Sequence, residues 1–172
     1  MDRDDSASAV AGIRLARSAA DVARARELFE EYAASLDIDL CFQGFAGELA
    51  TLPGSYAPPQ GRLLLAGTAH DVFGCVALRP LPSSDAVGLG EVKRLYVQPR
   101  ARGQGWGARL VHRLIDEART IGYRELRLDT LQSMAAARQL YAALGFGECA
   151  AYGYNPLESP IYMSLALTAA AR

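Results

Sequence analysis

The chain has 172 residues, 51% of them hydrophobic and 22% charged, with a formal net charge of -1; that suits one domain with a real core and is too little for two. A balance so near neutral gives no global pull toward nucleic acid or a membrane surface, and no run reaches the roughly 20 apolar residues of a membrane helix. The acidic start lacks the positive-then-apolar order of a secretion signal, and three cysteines (Cys41, Cys75, Cys149) without metal-like spacing fit a reduced, cytoplasmic setting and no metal site.

Residues 1–10 read as a disordered lead-in and residues 11–170 as a single domain. "IRLARS" (Ile13–Ser18) alternates and predicts a strand. Ser18, with Asp21 three positions on, has the form of an N-cap. It opens a helix through "DVARARELFEEYAASL", with Val22, Leu28, Phe29, Tyr32 and Leu36 near one face. A second short helix is expected in "FQGFAGELATL", ended by the Pro/Gly loop "PGSYAPPQG". "RLLLAGT" and "VFGCVALRPL" flank Ala69-His70-Asp71 as an antiparallel hairpin; "LPSSDAVG" reads as loop and "GEVKRLYV" as a further strand. A glycine turn follows. The next helix carries Leu110, Val111, Leu114, Ile115, Ala118 and Ile121 in one stripe, with Gly122 at its C-terminal cap. "RELRLDT" is a strand, "MAAARQLYAAL" a helix capped by Gly145, and "FGECAAY" and "IYMSLAL" are closing strands. The order predicts a mixed α/β sheet, neither a pure βαβ repeat nor segregated strands and helices.

In "YVQPRARGQGWGARLV" (Tyr96–Val111) the strand breaks at Pro99 and gives way to two arginines and three glycines before the helix begins. Gly103, Gly105 and Gly107 are unfavourable there, because each gives up more backbone freedom than another residue would. A helix N-terminus exposes unpaired N–H groups and the positive end of the macrodipole, which suits an anion. Glycines let a phosphate approach the backbone, and Arg100 and Arg102 add charge. A P-loop is set aside, since no Lys-Ser or Lys-Thr follows. A dinucleotide fingerprint fits poorly: "GQGWGA" has G-x-G-x-G, although Asp129 falls near the position of its ribose-binding acid. Glycines used only for close helix packing are another reading, and coenzyme A is the third phosphate reading.

Arg102-Gly103-Gln104-Gly105-Trp106-Gly107 has the form R-x-x-G-x-G, directly after a strand and at a helix start. In this the chain resembles the GNAT superfamily of N-acetyltransferases, whose pyrophosphate signature is Q/R-x-x-G-x-G/A. "AARQLYAALGF" is similar to the superfamily's A-x-x-L-Y-x-x-x-G-F segment, with Ala137, Leu140, Tyr141, Gly145 and Phe146 in place. The resemblance spans roughly Ile13 to Leu167 and is specific from Glu91 to Phe146; Met134 stands where many members carry a cofactor-contacting asparagine. "ELATLPGSYAPP", "VKRLYVQP", "DTLQSM" and "YGYNP" resemble a bacterial subgroup. The resemblance implies an acyl-CoA N-acyltransferase fold: a twisted, mostly antiparallel sheet with splayed central strands, flanked by helices. It implies acetyl-coenzyme A as cofactor, held by Leu95, Tyr96 and Val97 on the strand and by Arg102, Gly103, Gln104, Gly105, Trp106 and Gly107 in the turn. The implied activity is acetyl transfer to a primary amine of a small molecule or amino acid, with a protein N-terminus open as acceptor. Homodimers are common in the superfamily, often through the final strands.

Direct attack on a thioester needs a neutral amine, yet an alkylammonium with a pKa near 10.4 is neutral in no more than about one molecule per thousand at pH 7. A base near the acceptor is therefore expected. Glu91 matches where some members hold a basic glutamate, as base or substrate anchor; an ordinary pairing with Lys93 or Arg94 is the plain alternative. Alternation puts Glu91, Lys93, Leu95 and Val97 on one face, and Val92, Arg94 and Tyr96 on the other. Tyr141 matches the tyrosine that commonly faces the cofactor sulfur and protonates the departing thiolate; otherwise it is a core aromatic. The resemblance assigns the acetyl oxygen to a backbone N–H near Leu95, and pantetheine to an open strand edge between "KRLYV" and "LRLDT". Cys75 sits in an apolar strand with no histidine beside it, so a covalent acetyl-cysteine is disfavoured. His70 and His112 read as surface or packing residues.

In the superfamily the first helices and last hairpin shape the acceptor pocket. Here those segments hold Asp37, Asp39, Phe42, Gln43 and Phe45, then Tyr152, Tyr154, Asn155 and Glu158. Phe42, Gln43, Arg94, Tyr154 and Asn155 are the candidate acceptor contacts, and such aromatics and acids suit a cationic small molecule or amino acid. The alternative is a catalytically silent module that binds or senses coenzyme A.

Overall fold

A computed structural model describes residues 10–36, 38–81 and 88–168, apart from the side chain of Phe42. The lead-in expected over residues 1–10 lies, but for Val10, outside the described residues, as does most of "LPSSDAVG". The elements in chain order are β1 (Gly12–Leu15), α1 (Ala19–Leu36), α2 (Phe45–Thr51), β2 (Arg62–Gly67), β3 (Val72–Pro80) and β4 (Leu89–Val97), then α3 (Trp106–Ile121), β5 (Glu125–Leu131), α4 (Ala135–Ala143), β6 (Gly147–Glu148) and β7 (Pro160–Ala166).

Local chemistry sets several boundaries. The strand expected through Ser18 stops at Leu15, because Ser18 begins a reciprocal cap. The Asp21 N–H donates to Ser18 Oγ (3.0 Å), while Asp21 Oδ2 accepts from the Ser18 and Arg17 N–H groups (3.2 and 3.0 Å). Gly122, at φ 101, closes α3 by donating to the Ala118 and Arg119 carbonyls. The strand expected over "FGECAAY" shrinks to Gly147–Glu148. Beyond Cys149 the chain turns across the sheet, so that Tyr152 and Asn155 reach Glu91 and Asp129. Within the Pro/Gly loop Tyr56 is buried, its hydroxyl donating to Glu48 (2.9 Å).

The strands form one sheet in the order β1-β2-β3-β4-β5-β7-β6. Its neighbours are antiparallel except for β4 and β5. On one face, Leu110, Val111, Leu114 and Ala118 of α3 pack on Leu64, Val76, Leu78, Val92, Leu126 and Leu128. On the other, Ala25, Leu28 and Phe29 of α1 pack on Leu63, Leu65, Cys75 and Ala77. Removing such side chains from water stabilises the fold by roughly 1.5–3 kcal/mol for each large one.

Two irregularities in the middle of the sheet make the site. First, the parallel pairing covers only Leu89↔Glu125, Gly90↔Leu126 and Glu91↔Arg127. Farther along, β4 stays with β3 and β5 with β7, so the two strands splay and a wedge opens between them. Second, β4 carries one extra residue. Cys75 pairs with Tyr96 but Ala77 with Lys93, so Val76 alone stands against Arg94 and Leu95, and Arg94 takes φ 58. The alternation expected along β4 therefore fails after Lys93. Leu95 and Val97 join Val92 on the α3 face, while Arg94 and Tyr96 turn with Glu91 and Lys93 toward α1 and α2. A left-handed backbone is uncommon for a residue with a Cβ. Its guanidinium holds it there: Arg94 donates to both Glu48 oxygens (3.0 and 2.7 Å) and to Gln43 Oε1 (2.8 Å), over the Phe45 ring.

Candidate active site

A cleft of about 510 Å³ opens from the wedge. Leu95, Tyr96 and Val97 of β4 form one wall, Met134, Ala137 and Leu140 from the α4 side another, and the glycine turn closes an end. Tyr32 of α1 reaches in and packs edge-on to Tyr96 at 6.2 Å. The first helical bond of α3 runs from the Arg109 N–H to the Gly105 carbonyl (3.1 Å), so the amides ahead of it have no intrahelical partner. Gly103 and Gly105 have φ 74 and φ 79, and a Cβ on either would meet nothing within 4 Å. Backbone conformation, with open space above it, demands these two glycines. Gly107 differs: a Cβ there would come 2.9 Å from Leu140 Cδ1, so it serves the close approach of α3 and α4.

The expected cofactor residues Leu95, Tyr96, Val97, Arg102, Gly103, Gly105, Trp106 and Gly107 all border this cleft. Trp106 is buried in the α3 core, edge-on to Phe73 at 5.0 Å, with Arg109 over its ring at 3.9 Å. Gln104 is exposed and outside the lining, its amide nitrogen turned back to the Arg100 carbonyl (3.4 Å). Arg102 stays at the cleft, donating to the Val97 carbonyl (2.9 Å). Arg100 does not. It forms a two-point pair with Asp71 (2.6 and 2.9 Å), which neutralises the charge expected to serve the turn.

Deeper in the wedge lies a cavity of about 50 Å³ bounded by Tyr32, Lys93, Leu95, Asp129, Met134 and Tyr141 among others. It shares Tyr32, Leu95, Met134 and Ala137 with the cleft. It shares Gln43, Lys93 and Asp129 with a third space of about 260 Å³, walled by Tyr152, Tyr154 and Tyr162 and containing Arg79 and Glu91. The small cavity is thus a junction between two larger ones. Tyr141, buried and edge-on to Phe146 at 5.6 Å, faces it. Burial raises its phenol well above the ordinary 10, so the hydroxyl is protonated at neutral pH and able to donate.

Charge in the third space is networked. Glu91 Oε2 accepts from Arg79 Nε (2.8 Å), and its Oε1 accepts from the Tyr152 hydroxyl (3.3 Å) and lies 3.7 Å from Lys93 Nζ. Lys93, the one lysine of the sequence, also donates to Asp129 Oδ1 (3.3 Å), whose other oxygen accepts from Asn155 Nδ2 (3.0 Å). Burial, then the neighbouring Glu91 charge, raises the Tyr152 phenol and keeps it a donor.

The expected acceptor residues scatter. Gln43 borders both the third space and the junction, with its oxygen taken by Arg94. Arg94 is no free anchor, since all three of its nitrogens have acceptors on α2 and the turn before it. Asn155 orients Asp129, and Tyr154 stands highly exposed at the rim. Asp37 and the Phe42 side chain lie outside the described residues. Cys75 is fully buried in the α1 core, its thiol pushed far up by burial and bonded to the Arg94 carbonyl, which leaves no nucleophile there. His70 and His112 are exposed. Sequence reasoning missed Tyr32, Arg79 and the placement of Lys93 and Asp129. For Asp129 a signal existed: alternation in "LRLDT" sets it opposite the apolar Leu126 and Leu128.

The profile of the Acetyltransferase (GNAT) family matches residues 25–146. An uncharacterised N-acetyltransferase of Schizosaccharomyces pombe is 37% identical over 142 residues, covering 82% of this chain and 85% of its own. An IAA acetyltransferase of Azospirillum brasilense is 39% identical over 108 residues, 62% of this chain and 69% of its own. Among solved structures, the Salmonella typhimurium protein yncA with its cofactor acetyl-CoA superposes with a TM-score of 0.70 at 24% identity, covering 94% of this chain and 96% of its own. With the splayed sheet and the glycine turn in hand, the conclusion is direct: the chain belongs to the GNAT family of acetyltransferases.

Proposed function

We propose that the protein is an acetyl-coenzyme A-dependent N-acetyltransferase, acting on a primary amine of a small molecule or amino acid by direct attack. The observation that carries this reading is the junction: one small cavity joins cleft to pocket and is bordered by a carboxylate, Asp129, and a phenol, Tyr141. The cleft fits the cofactor. Unpaired amides at Gly103–Gly107 and open space above them suit a pyrophosphate, and the unpartnered stretch of β4 beyond Glu91 suits the amide groups of pantetheine. Bound acetyl-coenzyme A supplies an electrophilic thioester carbon.

Asp129, on the acceptor side of the junction, takes the proton of the acceptor ammonium. Glu91 borders the acceptor pocket but not the junction, whereas Asp129 borders both. We therefore give Glu91 neither of its expected roles of base or substrate anchor but the plain pairing one, holding Arg79 and Lys93 in place. The Leu95 amide is assigned to the acetyl oxygen. Tyr141 Oη gives a hydrogen bond to the sulfur as it leaves, which lowers the barrier without complete proton transfer.

The test is thiol release from acetyl-coenzyme A across amines, amino acids and peptides, on wild type and Tyr141→Phe together. Wild type should turn over at least one class, and the variant should lose about tenfold or more in kcat at unchanged cofactor affinity. Cofactor binding without thiol release for any acceptor would instead identify a silent coenzyme A module. An undiminished kcat would remove Tyr141 from the mechanism.

A further inference from the structure

The acceptor pocket carries an ordered row of charges that acetyl transfer alone does not require. Arg79, Glu91, Lys93 and Asp129 alternate in sign, with successive N···O separations of 2.8, 3.7 and 3.3 Å. The inner two, Glu91 and Lys93, each have an opposite charge on both sides, and their side chains are 6% exposed. The end members have one such neighbour each in the row and are more exposed, Arg79 at 24% and Asp129 at 14%. Glu48, a second carboxylate acting on Arg79 among the described residues, is already held at two points by Arg94. An alternating row is least compensated at its ends. Those ends point in opposite directions: Asp129 borders the junction, whereas Arg79 borders the pocket and the space beside α2 but not the junction.

A lone cationic amine would bring net positive charge into a partly enclosed pocket whose four ionic side chains among the described residues sum to zero. A molecule with one positive and one negative group would not. We infer that the acceptor is a zwitterion with an unblocked carboxylate, of amino-acid size, its ammonium at Asp129 and its carboxylate at Arg79. Arg79 is in register with Glu91, and Glu91 with Arg127, so Asp129 stands two residues farther along β5, past the last β4–β5 pair and into the splay. The space that Arg79 and Asp129 both border has a volume of about 260 Å³, which suits a molecule of amino-acid size. A peptide N-terminus carries its α-carboxyl as an amide and is disfavoured. The inference rests on the acetyl-transfer reading for its orientation, since the amine must face the junction.

The experiment compares free amino acids with their own α-amides and with the corresponding decarboxylated amines, by thiol release and by calorimetry on protein saturated with coenzyme A. Wild type should prefer the carboxylate-bearing member of each set by about tenfold or more, in kcat/KM and in Kd. In Arg79→Gln that ratio should collapse to within about threefold of one, and Arg79→Lys should restore most of it. Equal use of the amine by wild type, or a ratio that survives Arg79→Gln, overturns the inference. Carboxylate-dependent binding without thiol release would uphold the zwitterion site and refute acetyl transfer. Thiol release without carboxylate preference would do the reverse.

Discussion

The cleft and the proposed acceptor pocket meet at one junction but are made of different material. What the cleft offers to polar groups is mainly backbone: two left-handed glycines, unpaired amides at the start of α3, and a stretch of β4 without a β5 partner. The pocket is side-chain charge gathered from β3, β4, β5 and the segment before β7, each group held by another. Backbone recognition tolerates changes of side chain, whereas a charge network fails when one member goes. The cleft can therefore stay constant while the pocket changes its acceptor by a few substitutions.

The sharpest break in that comparison is Asp129→Asn, which keeps the shape and removes the proton acceptor. Its kcat should fall by about 10²–10⁴ with acetyl-coenzyme A affinity unchanged, and a loss under tenfold would clear Asp129 of the proton. Arg94→Ala should act on the fold itself, leaving Glu48 buried without its cation. Denaturant unfolding should show a loss of about 3–5 kcal/mol. Burial pushes the Glu48 carboxyl up, but the Arg94 hydrogen bonds and charge outweigh it and hold it below its ordinary 4.5. A depressed carboxyl stabilises the folded state in full above its unfolded value, and that contribution fades as pH falls through the folded one. Arg94→Ala should lose this acid-side slope. On the cleft side, Gly105→Ala forces a Cβ into φ 79. At roughly 1–2 kcal/mol of strain, acetyl-coenzyme A binding should weaken about tenfold in calorimetry. Arg100→Ala should change cofactor affinity by less than about twofold, since its pair with Asp71 is exposed and neither residue lines the cleft.

How legible each region was in the sequence follows from the same difference. A positive φ restricts residue type at a single position, so Gly103 and Gly105 declared themselves without a partner in view. The stripe of α3 and the Ser18–Asp21 cap were equally local. The bulge at Arg94 was not. One extra residue against β3 reverses the side-chain faces beyond it, and nothing within "VKRLYV" marks the insertion. Arg94 thus read as an acceptor contact while it fastens β4 to α2. Arg79, Lys93 and Asp129 come from three different strands, and Tyr32 reads as a plain helix-face aromatic until α1 is laid across the wedge. Their relationship exists only in the folded sheet.

The short parallel seam between β4 and β5 has a further consequence. Among the described residues three ladder pairs stitch the amino-terminal four strands to the carboxy-terminal three, so the sheet is two half-sheets joined near one end. A molecule lodged in the gap and bridging both edges acts as a missing rung. On the proposed function, loading with coenzyme A would be a mechanical event as much as a chemical one: at a hundredfold excess over Kd it would add about 2.7 kcal/mol to the folded state.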